Sequence, residues 1–154
     1  MDRMEGRFFT STEAAEITRC SRRQLQYWRE QEIVVPTVNT TGKGRNVYYS
    51  LTDLLALTLI EYLLSLGLSF EACQSALNFL RAVEPKLFEH PLHNKSERRF
   101  MLWQSAGEEA LRCTEFDEQK AIAAIQDGRA IVPIQIEVLG KRLEKRLQLV
   151  GTPS

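Results

Sequence analysis

Three segments place a hydroxyl residue three positions ahead of an acid or amide, each at the head of a run that can be helical: Thr10-Ser-Thr-Glu13, Ser21-Arg-Arg-Gln24 and Ser50-Leu-Thr-Asp53. In such a box the hydroxyl accepts from the amide three residues on, and the acid or amide reaches back to the first amide. Two N–H groups that a helix start otherwise leaves unbonded are satisfied together. Ser69 can cap a fourth helix. The spacing predicts helices over 11–18, 21–31, 51–66 and 69–82, with Gly67 ending the third. The first two are short, and only Arg19 to Ser21 separates them, which is the spacing of a helix-turn-helix.

Between the second and third helices, two runs rich in β-formers, 33–39 and 45–49, flank Thr41-Gly-Lys-Gly44. They predict a hairpin whose tip carries Lys43 and Arg45, with Gly42 and Gly44 permitting the tight backbone. A helix-turn-helix followed by such a hairpin is a winged helix. After Arg81 the pattern changes, and Glu84-Pro85 and His90-Pro91 punctuate a polar connection to about Glu97. Strands are expected at 99–104 and 110–114 around a turn at Gly107, then a helix at 117–127 that stops at Gly128. A strand at 130–136 and a basic amphipathic helix at 137–149 follow, the latter with Val138, Leu139, Leu143 and Leu147 on one side. Pro133 has no N–H for a ladder, so its strand is an edge or carries a bulge. The expected class is α+β: a winged-helix DNA-binding domain over 1–83, a connection over 84–97 and a small β-β-α-β-α dimerisation domain over 98–154. A unit as small as the last hardly closes a core alone, so it is expected to pair with a second copy.

Twenty basic and twenty acidic residues leave no net charge, which by itself speaks against a polyanionic partner. Their distribution reverses that. Residues 19–49 hold Arg19, Arg22, Arg23, Arg29, Lys43 and Arg45 against Glu30 and Glu32, a local +4, while 50–116 carry −3 and 117–154 carry +1. A basic block in a neutral chain is the footprint of a nucleic-acid reader on a neutral body; a solvated helix face would carry the same charges. The longest apolar run, 54–68, is broken by Thr58, Glu61 and Ser65 and is no membrane span. Arg3 and Arg7 precede no apolar segment of a secretory signal, so a cytoplasmic location is expected. Cys20, Cys73 and Cys113 are odd in number and far apart, which argues against a disulfide scaffold or zinc knuckle; they read as buried hydrophobes. His90 and His93 have the H-x-x-H form beside Glu89, but prolines break any helix that would align them, so neither a metal nor a cofactor is expected. Without a phosphate loop, paired acid/base carboxylates or a nucleophile motif, an enzyme is not expected.

The stretch Phe9-Thr10 … Ala14-Ala15 … Ser21-Arg22-Arg23-Gln24-Leu25-Gln26-Tyr27-Trp28-Arg29 … Ile33-Val34-Val35-Pro36 resembles the DNA-binding domain of MerR-type transcriptional regulators. The match has no gap from Phe9 to Pro36 and continues through Tyr49-Ser50 … Asp53-Leu54 and Gly67-Leu68-Ser69-Phe70-Glu71. The resemblance implies a homodimer on palindromic double-stranded promoter DNA, read here as a repressor, with RNA polymerase as a further partner. The layout and the wording of Gln24–Trp28 and Thr41–Ser50 are also similar to the small MerR-like repressors that accompany CRISPR-associated transposons. There are departures. Pro85 and Pro91 interrupt the region where typical members carry a long dimer helix, none of the cysteines matches their metal motifs, and Val47 stands where the family has an arginine. Two alternatives are an excisionase-like architectural DNA-binding factor and a ligand-gated sensor. For the latter, the tail lacks a concentration of polar or aromatic residues suited to a pocket.

Helix two is the expected recognition helix, with its N-terminal turn toward the bases of the major groove. Arg22 and Arg23 lie in that turn, where a guanidinium can take O6 and N7 of guanine together. Arg23 matches the conserved arginine of the resembled family. Gln26, one turn on, can read adenine or reach a phosphate. Tyr27 matches a family tyrosine that donates to backbone phosphate. Ser11 and Thr12 can add phosphate bonds at the start of helix one, although capping alone would explain a hydroxyl there. Lys43 and Arg45 are expected on flanking phosphate or in the minor groove, with Tyr48 toward the DNA and Tyr49 inward. Trp28 reads as core, packed with Leu25, Ile17 and the wing.

Overall fold

The structure is a computed structural model that describes residues 6–39, 47–89, 92 and 98–150. The N-terminal part contains α1 (Ser11–Thr18), α2 (Arg22–Glu30), β1 (Val38–Asn39), β2 (Val47–Tyr48), α3 (Leu51–Ser65) and α4 (Phe70–Val83). There follow α5 (Lys86–Glu89), β3 (Arg99–Gln104), β4 (Leu111–Glu115), α6 (Glu118–Gln126), β5 (Ile131–Gln135) and α7 (Ile136–Val150). The α+β class holds.

Each expected cap forms. Thr10 Oγ1 accepts from Glu13 N at 3.1 Å while Thr10 N donates to the Glu13 carboxylate at 3.0 Å. The same exchange joins Ser21 with Gln24 and Ser50 with Asp53, and Ser69 Oγ accepts from Ala72 N. Ser21 and Ser69 are therefore the caps, and their helices begin one residue later. Beyond α3, Gly67 at φ +85° donates to the Leu64 carbonyl at 2.9 Å and Leu68 to that of Leu63 at 3.3 Å. Both bonds satisfy carbonyls that the helix end strands, and the left-handed backbone they require is open to glycine.

The expected strand over 33–39 does not form along its length. Only Val38–Asn39 pair, antiparallel to β2, with Val38 opposite Tyr48 and Asn39 opposite Val47. Other acceptors claim the amides of Ile33, Val34 and Thr37. Ile33 and Val34 both donate to the Trp28 carbonyl, at 2.8 and 3.4 Å, and Thr37 donates to the Asp53 carboxylate at 2.8 Å. Pro36 has no N–H to offer. Of the expected partner strand 45–49, residues 47–48 pair and Tyr49 exchanges two 2.8 Å hydrogen bonds with Phe9. The short α5, inside the expected connection, was not foreseen.

The C-terminal sheet is antiparallel in the order β4-β3-β5. Pro133 lies on β5, an edge strand, opposite Met101, where its missing donor leaves no ladder bond unmade on the inner side. Along β3 the side chains alternate. Phe100 and Leu102 join the main core, Phe100 meeting Phe79 edge-on at 6.0 Å, while Met101 and Trp103 pack with Ala121 of α6.

That main core runs straight across the expected domain boundary. α7 lies on α1 and α3, and β4 lies on α4. Leu139, Leu143 and Leu147 are buried in the same cluster as Ile17, Leu54, Leu57 and Trp28. Arg146, buried on α7, donates to the Thr18 carbonyl at 3.1 Å and to Glu61 of α3 at 3.3 Å. The C-terminal unit thus closes its core on the N-terminal helices of its own chain. Its small size is no longer a reason for a second copy.

Candidate nucleic-acid interface

Nine residues of α2 form an amphipathic helix with one narrow apolar side. Leu25 and Trp28 are buried, and Arg22, Arg23, Gln26, Tyr27 and Glu30 are exposed. At 100° per residue, Arg23, Gln26, Tyr27 and Glu30 centre on the side opposite Leu25 and Trp28, with Arg22 at its margin. The predicted contact residues of this helix therefore share one outward face. Gln26 Nε2 donates to Glu30 Oε1 at 3.0 Å, so reading a base requires that amide to exchange an exposed bond of modest worth.

The other side of α2 is fixed by a residue that the sequence did not single out. Phe70, the first residue of α4, stacks on Trp28 at 6.0 Å and 10°, and meets the Tyr27 ring edge-on at 5.9 Å. Trp28 is 2% exposed and Tyr27 50%. The Tyr27 ring thus packs against Phe70 while half of the residue stays exposed to solvent. Trp28 is core, as expected. A signal for Phe70 existed: an aromatic directly after a helix cap has little reason to be there unless a neighbouring helix covers it.

The turn into α2 rests on Arg19, whose backbone is left-handed at φ 63°. Only a few per cent of non-glycine residues adopt that region, and it favours glycine. Cys20 follows with its thiol inward, its amide donating to Thr18 Oγ1 at 3.3 Å and its sulfur lying 3.8 Å from the Leu57 carbonyl. Burial pushes the thiols of Cys20 and Cys73 up to about 11 and that of Cys113 up to about 12. All three are free and buried, as the reading as hydrophobes requires.

Asp53 carries more than a cap. One carboxylate oxygen accepts from Thr37 N at 2.8 Å, Thr37 Oγ1 at 2.8 Å and Ser50 N at 2.9 Å. Thr37 enters the hairpin and Ser50 leaves it, so a single buried acid clamps both feet of the wing. The Phe9–Tyr49 bridge ties that hairpin to the start of α1; Ser11 is half-buried, and Thr12 and Tyr48 are exposed. Thr10 supplies the cap hydroxyl, so capping does not account for Ser11 and Thr12. Val47 is buried and Tyr49 likewise, while Tyr48 points out, the alternation a strand demands. An apolar residue at 47 therefore suits its site. The predicted contacts Lys43 and Arg45, with Gly42 and Gly44, lie outside the described residues, as do His90 and His93. Among the described residues no group of three potential ligands could hold a metal, and no helix is long and apolar enough to cross a membrane.

Residues 9–80 match a family model described as MerR HTH family regulatory protein. The chain is also similar to an uncharacterized HTH-type transcriptional regulator of Mycobacterium bovis, at 35% identity over 69 residues. Two counterparts of Mycobacterium tuberculosis, from strains CDC 1551 and H37Rv, match to the same degree. The aligned stretch covers 44% of this chain, and the chain spans 31% of the length of each relative. The capped pair α1–α2, the clamped hairpin and the buried Trp28 all lie within residues 9–80, and this part of the chain is similar to a MerR-type helix-turn-helix domain.

Proposed function

We propose that the protein is a sequence-specific DNA-binding transcriptional regulator that sits as a homodimer on an inverted repeat and represses. The observation that carries this reading is the outward face of α2, where Arg23, Gln26 and Tyr27 stand together while Trp28 and Phe70 hold the helix from behind. A helix with its capped N-terminus forward and its cations in the first turn suits entry into the major groove. Arg22 and Arg23 supply the fork for guanine, Tyr27, Ser11 and Thr12 reach phosphate, and Lys43, Arg45 and Tyr48 extend the contact along the wing. One such helix makes too few base contacts for tight specific binding, which favours two copies and hence a two-fold site. No catalytic role is proposed.

The chain's own upstream region is the duplex to test first. Arg23→Ala is expected to weaken binding by about 1–3 kcal/mol and to relax base preference. Lys43→Ala is expected to weaken all duplexes alike and reduce the salt slope by about one. Unchanged affinity in both variants, across salt, would remove the proposed surface.

A further inference from the structure

We infer that the groove between the helix-turn-helix turn and α7 binds an amphiphilic organic anion, with a carboxylate, phosphate or sulfonate head and an apolar body. The groove is open to solvent and offers about 390 Å³, lined by Arg19 of the turn and by Lys141, Arg142, Lys145 and Arg146 of α7, beside Val138 and Leu149. That volume falls within the range of small-molecule sites. The site is built from the turn and the last helix together, so it escapes an inspection of the tail alone.

Charge sets the head group. Among the described residues no carboxylate lines the groove. Arg146 is committed to Glu61 and Thr18, Lys141 to Glu137 at 3.2 Å, and Arg142 covers the Tyr62 ring at 5.0 Å. Arg19 and Lys145 have no ion-pair partner among the described residues. Lys141 and Lys145 stand one turn apart, as do Arg142 and Arg146, so these cations share one face of α7. The body follows from Val138 and Leu149, 51% and 68% exposed at the same groove. A phosphodiester or inorganic ion would leave that apolar surface wet, whereas an amphiphile covers it. The occupant would touch Arg19, whose left-handed backbone aims α2.

Binding here does not depend on the DNA reading. Calorimetric titration with decanoate tests it, beside inorganic phosphate, decanol and a short DNA duplex, on the wild type and on Lys145→Glu and Leu149→Ser. Both substitutions lie at exposed helix positions, and thermal midpoints check the fold. Decanoate is expected to bind once per chain at submillimolar Kd, about tenfold weaker in Lys145→Glu and about fivefold weaker in Leu149→Ser. Phosphate and decanol are expected to bind far more weakly. The proposal is overturned if decanoate does not bind, if both variants bind it as the wild type does, or if phosphate binds as tightly. Loss of duplex binding in Lys145→Glu without decanoate binding would make the groove a DNA-backbone contact and likewise overturn it.

Discussion

Removing the Arg146 side chain tests whether α7 is part of the same fold as the helix-turn-helix. Its guanidinium joins three helices, donating to the Thr18 carbonyl at the end of α1 and to Glu61 on α3, with only 7% of the side chain exposed. Breaking a buried pair by deleting one partner costs about 3–5 kcal/mol, because the remaining charge is left without compensation. Glu61, 20% exposed, can take some water, which places Arg146→Ala near the low end, about 3 kcal/mol. The Thr18 carbonyl lies at a helix C-terminus, where a cation is favoured, so part of that loss belongs to α1. Replacing both partners with apolar residues (Arg146→Met with Glu61→Leu) should recover most of it. Urea unfolding monitored by circular dichroism gives each free energy, and the core shared by both halves predicts a single transition for every variant. A loss below about 1 kcal/mol for Arg146→Ala would place it among ordinary surface pairs and refute the clamp.

Asp53→Ala should cost about 2–4 kcal/mol, since three donors lose their acceptor, and should weaken DNA binding by releasing the wing while α2 stays intact; unchanged stability would deny that Asp53 holds both feet. Trp28→Ala should cost about 3–5 kcal/mol, as for a large buried aromatic, and a smaller loss would mean the Phe70 stack is dispensable. The buried thiols have folded pKa values of about 11 to 12, above that of a free thiol. Their contribution to stability is fully present below about 8.5 and is lost as pH rises toward those values. The urea midpoint should therefore fall between pH 8 and 10, and a colorimetric thiol reagent at pH 8 should read none of the cysteines until the chain unfolds.

Helix starts were legible because a cap is a local object: Thr10 with Glu13, Ser21 with Gln24 and Ser50 with Asp53 each close within four residues. The edge position of β5 was legible for the same reason, since one missing donor at Pro133 restricts where its strand can lie. So was the outward face of α2, where burial of Leu25 and Trp28 follows from helical spacing. The segment 33–37 misled, because its β-rich composition says nothing of acceptors elsewhere. Trp28 and Asp53 won those amides from the ladder. The Arg146–Thr18 bond spans 128 positions, and no pattern within a window connects a basic residue on a late helix to a carbonyl on the first. The left-handed Arg19 was equally hidden, since nothing in its side chain asks for that backbone.

Because Leu139, Leu143 and Leu147 complete a core begun by Ile17 and Leu57, the helix-turn-helix and the tail have no seam between them. A graft of residues 9–80 onto another body would arrive with one flank bare and sticky. A substitution on the buried side of the last helix is therefore felt in the packing of the first, and diversification of one half is tethered to the other.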